Sequence, residues 1–474
     1  MTLPAKFVER VLRDLGGTEG AALCAALDAE PPVSVRLNPA KTGADTLPAG
    51  PDAGLPVPEA AGLPALAIAG RVPWSRDGRY LAVRPSFTLD PDFHAGAYYV
   101  QEASSQFVGH LLAAVRTEGA RILDLCAAPG GKTTLYASLA GPDGLVVANE
   151  IDRRRASVLA DNVRKWGTGN VAVTTCEPRA LGDFEAWFDV VAVDAPCSGE
   201  GMFRKDPDAR GEWSEGNVKQ CAARQDEILR EAWRALKPGG TLVYSTCTFN
   251  RDEDEGALER MAAWAGDEIA ESEETAVEDA WGIVCGRVGA FRTFRFYPHR
   301  TCGEGFFAAV ARKSFDAGGR VRAPKARRTV FAAVDRKTAG ELARWVRNPG
   351  GMRFAAVADT CYAWYAAQAD AVRTLSEALP VIYSGVALGQ VFKGVLKPDP
   401  ALAFFDWLNR GALPAAELDD EETLRFLRRQ DIAAGGLAEG MNLVCSRGRA
   451  LGFAKRIGAR VNNLYPNSLR IIKQ

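Results

Sequence analysis

The sequence predicts an α/β fold built on a doubly wound, mostly parallel sheet, and three observations support this fold class. Short hydrophobic runs alternate with segments of helical periodicity between residues 96 and 313. The runs are apolar along their whole length, as is typical of strands that are buried on both faces of a sheet. Glycine-rich or polar segments follow several runs, where the carboxyl ends of parallel strands form a ligand crevice.

The elements of this region can be assigned in chain order. A helix over 101–115 precedes the first strand, 121–125, and a glycine-rich turn connects that strand to a helix over 132–139. The same alternation continues to the end of the region. The further predicted elements are strands over 145–149, 171–174, 189–193, 241–245, 291–297 and 305–311, and helices over 152–166 and 218–236.

Two further parts flank this region in the chain of 474 residues, which is too long for one ordinary domain. Residues 1–95 combine two stretches of helical periodicity with one short strand and a glycine- and proline-rich stretch over 40–70, predicted to be mostly loop. Residues 314–328 are rich in glycine and basic side chains and are interpreted as a linker. Residues 329–474 contain short apolar segments interrupted by glycine, which predict a separate α+β or small-barrel module.

Composition narrows the class of protein. The sequence contains no apolar run long enough to span a membrane and no signal-peptide core, so a cytoplasmic protein without a membrane partner is expected. Its ten cysteines include no Cys-x-x-Cys pair, which argues against a zinc site, and disulfides are not expected in a reducing compartment. The three histidines are widely scattered, so no metal centre is expected.

The net charge of −1 hides an uneven distribution. Residues 251–279 contain twelve acidic and two basic side chains, whereas residues 311–330 contain seven basic side chains and one acidic one. Residues 440–474 contain seven basic side chains and no acidic one. Such basic stretches favour binding to phosphate backbones, although each could equally form a solvated surface without a partner.

Two cysteines that stand fifty residues apart are the main candidates for chemistry. Cys197 lies in Asp-Ala-Pro-Cys-Ser-Gly and Cys247 in Tyr-Ser-Thr-Cys-Thr, and each motif follows a predicted strand. Because the carboxyl ends of parallel strands meet at one edge, we expect both sulfurs at the same site. One thiol suggests a nucleophile, and two suggest a nucleophile and a group that resolves its intermediate. The alternative, two core cysteines, is disfavoured by the polar loop residues beside them.

The turn over Asp124–Thr134 is predicted to bind a ligand. Its consecutive glycines allow close approach of the backbone, and the helix that follows offers unpaired N–H groups. A phosphate-binding P-loop would need a glycine at the position of Cys126, and the dinucleotide pattern G-x-G-x-x-G is also absent. A tight turn without a ligand is the remaining alternative.

Acidic residues after the next two strands favour a nucleoside. Glu150 ends the second strand, where a carboxylate can accept hydrogen bonds from ribose hydroxyls, while Asp152 is expected to cap the next helix. Glu177 follows the third strand and can reach an adenine or ribose edge, although an exposed loop glutamate is the alternative. A turn without a phosphate signature and a ribose-binding acid fit adenosine without a phosphate chain, as in S-adenosylmethionine.

These motifs resemble those of the RNA cytosine-5 methyltransferases of the Sun type, a family that includes bacterial RsmB and RsmF. The C-terminal part is similar to the RsmF branch, with its PUA-like RNA-binding module. The matching segments are Cys126–Thr133, Asp194–Gly201 and Tyr244–Thr248, together with Gly96–Ser105, Gly303–Val310, Gly385–Gly394, Lys397–Ala403 and Asn462–Pro466. Thr175 stands where relatives often carry asparagine, which leaves the adenine contact at Glu177 open.

The resemblance implies a Rossmann-like class I methyltransferase fold over 96–313. It adds an N-terminal RNA-binding α+β segment over 1–95 and an RNA-binding α+β, PUA-like module over 329–474. Arg36 and Asn38 fall on an RNA-binding element of the family, with an ordinary surface strand as the alternative. The implied partner is ribosomal RNA or the small ribosomal subunit, and a monomer is expected. A transfer RNA substrate and a non-catalytic role as an RNA-binding ribosome assembly factor are the alternatives.

The resemblance also implies roles for individual residues. Cys247 is the expected nucleophile and Cys197 the residue that helps to release the product. Asp194 is expected to hydrogen-bond the cytosine, and Lys132 to supply positive charge near the thiolate and to contact the base. The expected contacts with the cofactor S-adenosyl-L-methionine are Cys126, Ala127, Ala128, Pro129, Gly130, Gly131, Lys132, Glu150, Glu177 and Asp194.

Overall fold

The computed structural model describes residues 2–43 and 63–472, and its central feature is one mixed sheet of ten strands. Three smaller sheets belong to the N-terminal and C-terminal parts. The middle of the loop predicted over 40–70 lies outside the described residues. No helix in the described ranges combines the length and the apolar character needed to cross a bilayer.

The N-terminal part is a small α+β unit. Its elements are α1 (Ala5–Leu15), α2 (Gly17–Ala26), β1 (Val33–Leu37), α3 (Pro39–Thr42), β2 (Ile68–Arg71), β3 (Gly78–Leu81), α4 (Pro91–His94) and β4 (Tyr98–Tyr99). The strands form an antiparallel sheet in the order β2, β3, β1, β4. Phe7 of α1 is fully buried and packs edge-on against Phe203, so this helix lies beside the loop that contains Cys197.

The central part supplies nine strands of the large sheet. Its elements are α5 (Phe107–Ala113), β5 (Arg121–Asp124), α6 (Gly131–Ala140), β6 (Leu145–Asn149), α7 (Arg153–Trp166), β7 (Val171–Thr174), α8 (Pro178–Gly182), β8 (Phe188–Asp194), α9 (Ala209–Glu212), α10 (Glu215–Ala235), β9 (Leu236–Thr246), α11 (Glu255–Ala265), β10 (Ile269–Ala270), β11 (Val284–Val288), β12 (Phe291–Phe296) and β13 (Phe306–Lys313). Asp152 caps α7 through its side chain, as predicted.

The C-terminal part adds two smaller sheets. Its elements are β14 (Ala332–Ala333), α12 (Arg336–Ala343), β15 (Met352–Val357), β16 (Thr360–Tyr365), α13 (Ala369–Ala378), β17 (Val381–Ser384), β18 (Val386–Phe392), β19 (Val395–Pro398), α14 (Pro400–Phe404), β20 (Ala415–Glu417), α15 (Asp420–Leu427), β21 (Gly440–Ser446), β22 (Arg449–Ile457) and β23 (Arg460–Asn463). One sheet has the order β14, β15, β16, β18, β19, and the other β20, β21, β22, β23.

The order of strands in the large sheet confirms the predicted doubly wound α/β class. The path is β11, β12, β13, β9, β8, β5, β6, β7, β17, with β10 paired to β13. The five strands from β9 to β7 are parallel and the outer strands are antiparallel, so the sheet is mixed. Strand order reverses between β5 and β8, and ligands of such sheets bind at the carboxyl ends beside this point.

Apolar side chains cover both faces of the sheet. Within β5, Leu123 points to the face covered by α10, α11 and α13, whereas Ile122 points to the face covered by α5, α6 and α7. Strand β6 is buried at all five positions, because helices lie on each side of it. The continuous apolar runs of the sequence therefore correspond to strands with two buried faces.

The C-terminal part contacts the central part through both a shared sheet and a shared core. Strand β17 pairs antiparallel with β7 and extends the large sheet. Leu375 of α13 is fully buried in the core cluster beneath the central strands. The pairing joins segments about two hundred residues apart, and local sequence patterns carry no information about such a contact.

The basic C-terminal stretch is partly used inside the protein. Arg447 forms ion pairs with Asp90 and Asp92 of the N-terminal part, and Arg449 also pairs with Asp92. Arg456 donates hydrogen bonds to the backbone carbonyls of Ala434 and Leu437. These three arginines therefore have partners inside the protein, in addition to either role considered for the basic stretch over 440–474.

Candidate active site

The glycine-rich turn lies between β5 and α6, at the carboxyl edge of the sheet. Gly130 has φ of +111°, a conformation that side chains rarely adopt, and a Cβ there would lie 2.9 Å from Leu159 Cδ1. Helix α6 begins at Gly131, so its first N–H groups face the crevice without intrahelical partners. Inside the turn, Thr133 Oγ1 donates to the buried Asp124 Oδ2 at 2.6 Å.

Several side chains from outside the turn hold its carbonyl groups. Arg155 Nη2 donates to the carbonyl of Ala128 at 3.0 Å, and Asn162 Nδ2 donates to that of Pro129 at 2.8 Å. Arg36 Nη2 donates to the carbonyl of Gly131 at 3.1 Å. Sequence reasoning missed Arg155 and Asn162, whose only signal is that they lie in the helix that follows the second strand.

Arg36 and Asn38 make structural contacts, and their burial shows that the alternative of an ordinary surface strand is wrong. Both are buried, with exposures of 2% and 1%. The Arg36 guanidinium lies 4.5 Å from the centre of the Trp166 ring and binds Gln101 and Thr134. These contacts connect β1 to the glycine turn.

The two acids expected near a nucleoside differ in their surroundings. Glu150 is 4% exposed; its Oε1 accepts from the backbone N–H of Asp152 and its Oε2 forms an ion pair with Arg155 at 3.1 Å. Glu177 is exposed and stands directly before α8. Because β6 and β7 are parallel neighbours, the two acids follow adjacent strands at the same edge.

Asp194 ends β8 next to the turn and is joined to Lys132. Lys132 Nζ lies 2.8 Å from Asp194 Oδ1, and Ser245 Oγ donates to the same oxygen at 2.8 Å. The Asp194 side chain remains 36% exposed, so its carboxylate is accessible from the crevice. Lys132 Nζ also lies 5.1 Å from the centre of the Phe306 ring. Lys132 therefore contacts Asp194 directly. In the described ranges, no ion pair or hydrogen bond joins Lys132 to the sulfur of Cys197 or Cys247.

The sulfurs of Cys197 and Cys247 lie 3.3 Å apart. Both residues are free cysteines and both are half-buried, each just beyond the carboxyl end of one of two adjacent parallel strands, β8 and β9. The backbone N–H of Gly201 donates to the carbonyl of Cys247 at 2.9 Å, which joins the two loops directly. The distance is that of two thiols in hydrogen-bond contact.

The contact between the sulfurs affects the protonation of Cys197. The hydrogen bond with Cys247, together with burial, raises the pKa of Cys197 well above the usual value of a thiol. Cys197 therefore keeps its proton, and a hydrogen bond from it would stabilise a thiolate at Cys247. Burial also raises the pKa of Cys126, which makes this thiol of the turn a poor nucleophile.

The structure thus brings most of the predicted site residues to one edge of the sheet. The turn residues from Cys126 to Lys132 follow β5, and Glu150 follows β6. Asp194 ends β8, and the two cysteines lie just beyond β8 and β9. Glu177 follows β7 at the same edge, at the outer side of the group. Within the part of the chain that the structure describes, no group of three metal-binding side chains occurs.

Sequence reasoning missed a buried carboxylate under the two cysteine loops. Glu253 is fully buried, although it belongs to the acidic stretch over 251–279 that was considered only as a region of charge. Its Oε2 accepts from the backbone N–H of Ser198, next to Cys197. Nothing in the pattern of the sequence distinguishes Glu253 from Arg251 and Asp252, which are exposed.

An electrophile held by the turn would face a pair of thiols and an accessible carboxylate. This arrangement suits nucleophilic catalysis, because one thiol can attack while its protonated neighbour exchanges a proton. Asp194 can accept hydrogen bonds from a planar substrate that carries N–H groups.

Comparison with known proteins identifies this arrangement. The family model described as 16S rRNA methyltransferase RsmB/F matches residues 111–312. The model of the N-terminal domain of 16S rRNA methyltransferase RsmF matches residues 3–103, and the methyltransferase RsmF PUA domain matches residues 414–471. The three matches follow the chain in the order expected from the RsmF branch.

Individual relatives agree with these matches. The ribosomal RNA small subunit methyltransferase F of Shewanella loihica is 32% identical over 418 residues, which cover 84% of this chain and 83% of that protein. The protein of the same name from Erwinia tasmaniensis is 31% identical and covers 84% of each chain.

Solved structures show the same fold. A methyltransferase homolog protein from Pyrococcus horikoshii is 27% identical with a TM-score of 0.51, over 65% of this chain and 94% of that one. NSun6 from Pyrococcus horikoshii, solved with SFG, has a TM-score of 0.53 at 20% identity, over 65% of this chain and 98% of that one, and supports the fold alone. Together with the family matches, these similarities confirm the resemblance seen in the motifs: the chain belongs to the 16S rRNA methyltransferase RsmB/F family.

Proposed function

We propose that this protein transfers a methyl group from S-adenosylmethionine to carbon five of a cytosine in small-subunit ribosomal RNA, through a covalent bond between Cys247 and the RNA. The observation that carries the proposal is the 3.3 Å contact between the sulfurs of Cys197 and Cys247. Family membership supports an RNA methyltransferase, and the printed names of the relatives support a substrate in the small subunit.

The nucleophile in this proposal is Cys247. Carbon five of cytosine is too weak a nucleophile to take a methyl group directly. Attack of the Cys247 thiolate on carbon six forms a carbon–sulfur bond and moves electron density to carbon five, which then accepts the methyl group. Loss of the proton from carbon five and elimination of the thiolate restore the aromatic ring and regenerate Cys247.

Cys197 and Asp194 assist these steps. The raised pKa of Cys197 keeps this thiol protonated beside the attacking sulfur, and Cys197 promotes the final release of Cys247 from the product. The Asp194 carboxylate accepts hydrogen bonds from the exocyclic amine of the cytosine and from its ring nitrogen once that nitrogen carries a proton. Lys132, which lies 2.8 Å from Asp194, holds this carboxylate and stabilises negative charge that develops on the base.

The residues at the turn fit S-adenosylmethionine, which supplies an electrophilic methyl group when bound. The backbone of Gly130 leaves no room for a side chain, and the first N–H groups of α6 suit a carboxylate. Glu150 offers its Oε2 to a ribose hydroxyl, because its present partner Arg155 is 62% exposed and can be displaced. The backbone of residues 126–131 completes the cradle, and Glu177 contacts the adenosine.

In this proposal, the parts of the chain have different roles. Residues 96–313 carry out catalysis, while residues 1–95 and 329–474 bind RNA, joined by the basic linker 314–328. The arginines and the lysine of the linker are exposed, as contact with phosphates requires. The ten free cysteines suit a reducing compartment, and we assign the reaction to a monomer in the cytoplasm.

Transfer of labelled methyl from S-adenosylmethionine to unmodified small subunits, naked ribosomal RNA and transfer RNA tests the proposal. We expect 5-methylcytosine at one position of the small-subunit RNA. Label on transfer RNA alone would keep the chemistry and overturn the substrate. RNA binding without any label would favour the role of a non-catalytic assembly factor.

A further inference from the structure

We propose that Glu253 is a positioning residue that clamps the two cysteine loops together and so sets the distance between the sulfurs of Cys197 and Cys247. The inference rests on the proposed function only for the roles of the two thiols. The clamp itself follows from contacts on both loops that the reaction does not use.

Glu253 is tied to the loop of Cys197 by two routes. Its Oε2 accepts from the backbone N–H of Ser198 at 2.9 Å and from Gln225 Nε2 at 2.9 Å. Gln225 Nε2 also donates to the carbonyl of Pro196 at 3.0 Å, so it connects the carboxylate to the residue before Cys197. The backbone is therefore held on each side of the first cysteine.

Glu253 is tied to the loop of Cys247 through Asn250. Asn250 Nδ2 donates to Glu253 Oε1 at 2.7 Å and to Thr248 Oγ1 at 2.8 Å, next to Cys247. In return, Asn250 Oδ1 accepts from the backbone N–H of Glu253 at 3.0 Å. Asn250 also reaches Ser198 Oγ at 3.2 Å, so both loops meet at this amide.

The chemistry of the partners makes a carboxylate necessary at position 253. Ser198 N–H, the Gln225 amide nitrogen and the Asn250 amide nitrogen are all donors, and a carboxylate accepts from all of them. Glu253, Gln225 and Asn250 are 0%, 0% and 2% exposed, so water cannot replace a lost partner. A glutamine at position 253 would place its NH₂ group against at least one donor, which breaks one of the ties.

The rate at which Cys197 and Cys247 form a disulfide measures how well the clamp holds the two sulfurs together. This assay needs neither RNA nor S-adenosylmethionine. Diamide takes up the two thiol protons and two electrons as one S–S bond forms, and mass spectrometry of the linked peptides gives the rate. Every protein in this assay also carries Cys285→Ser and Cys302→Ser. These two thiols are exposed and would otherwise react with diamide themselves.

We expect Glu253→Gln and Gln225→Ala each to slow disulfide formation, the former by about tenfold or more. If Glu253→Gln does not fold, Gln225→Ala still tests the clamp. The matched control is Asp92→Asn, which changes another carboxylate with 1% exposure at the contact between α4 and β22 and should leave the rate unchanged.

Unchanged rates in both variants would overturn the proposal, as would equal slowing by Asp92→Asn. Methylation supplies a second readout. Glu253→Gln should lower kcat while leaving KM for S-adenosylmethionine unchanged, because the turn does not contact Glu253. Failure of every protein to methylate RNA would refute the proposed function and leave the disulfide result intact.

Discussion

At the scale of single residues, the ion pair between Lys132 and Asp194 is the contact that joins the glycine turn to the end of β8. Its two atoms lie 2.8 Å apart, and the Lys132 side chain is only 13% exposed. A charge held this way stabilises negative charge on a bound base more effectively than a solvated one. In the proposed mechanism, the pair connects cofactor binding with the chemistry on the base.

Lys132→Ala should lower the rate of methyl transfer by about tenfold or more, because it removes the positive charge beside Asp194. Lys132→Arg keeps the charge and should retain more activity than the alanine variant. Single-turnover assays with saturating S-adenosylmethionine measure the chemical step. An unchanged rate in Lys132→Ala would show that the lysine only supports the structure.

Asp124 makes stability depend on pH. Burial raises the pKa of this carboxyl to about 7, whereas an unfolded chain gives about 3.9. The folded state therefore keeps a proton that the unfolded state loses, and stability falls as the pH rises from about 4 to about 7. The raised pKa corresponds to at most about 4 kcal/mol in the free energy of unfolding.

Asp124→Asn removes this titration and keeps an acceptor for Thr133 Oγ1. Thermal unfolding at about pH 5 and about pH 7.5 should show a smaller loss of stability in Asp124→Asn than in the natural sequence. Equal pH dependence of the two proteins would mean that Asp124 is already ionised in the folded state.

At the scale of elements, the strands that carry the candidate site were the most predictable. Each of β5 to β9 is an apolar run, because both faces of these strands are buried, and the carboxyl edge followed from their alternation with helices. Short or non-local elements were not predicted. Helix α8 has only five residues, and β17 is defined by a partner strand far away in the chain.

The residues of the site also differ in whether the local sequence pattern predicts them. Cys197, Cys247 and the glycine turn stand directly after strands, so topology alone placed them together. The supporting side chains, such as Arg155 and Glu253, come from helices and loops whose sequence resembles an ordinary charged surface. Their burial is decided by packing between elements, which a local pattern does not contain.

Gly130→Ala should disturb the turn between β5 and α6. The alanine would need φ of +111° and its Cβ would lie 2.9 Å from Leu159 Cδ1, which together cost about 1–3 kcal/mol. We expect weaker binding of S-adenosylmethionine in calorimetry. Gly141→Ala, at the other end of α6, meets no atom within 4 Å and is the control for strain alone. Equal affinity in the Gly130 and Gly141 variants would contradict the role given to the turn.

At the scale of the whole molecule, the three parts of the chain are interlocked. Strand β17 extends the central sheet, α13 covers its core, and Arg447 and Arg449 join the C-terminal sheet to Asp92 in the N-terminal part. An RNA bound across these parts would therefore meet one continuous surface with a defined position relative to the two cysteines.

Leu375→Ala tests this interlocking, because Leu375 belongs to the C-terminal part in sequence and to the central core in space. Truncating a fully buried leucine costs about 2–5 kcal/mol. Hydrogen exchange of the β7 amides should become faster in this variant. Leu443→Ala, equally buried but in the core of the C-terminal sheets, should leave β7 unchanged. Unchanged β7 exchange in Leu375→Ala would show that the parts are independent.

The central claim is that Cys247 forms the bond to RNA and Cys197 releases it. Its most direct test is to incubate Cys197→Ala and Cys247→Ala with S-adenosylmethionine and small-subunit RNA, and to isolate covalent protein–RNA species under denaturing conditions. The account predicts an accumulated adduct with Cys197→Ala, attached at Cys247, and none with Cys247→Ala. A stable adduct with Cys247→Ala and none with Cys197→Ala would reverse the roles of the two cysteines.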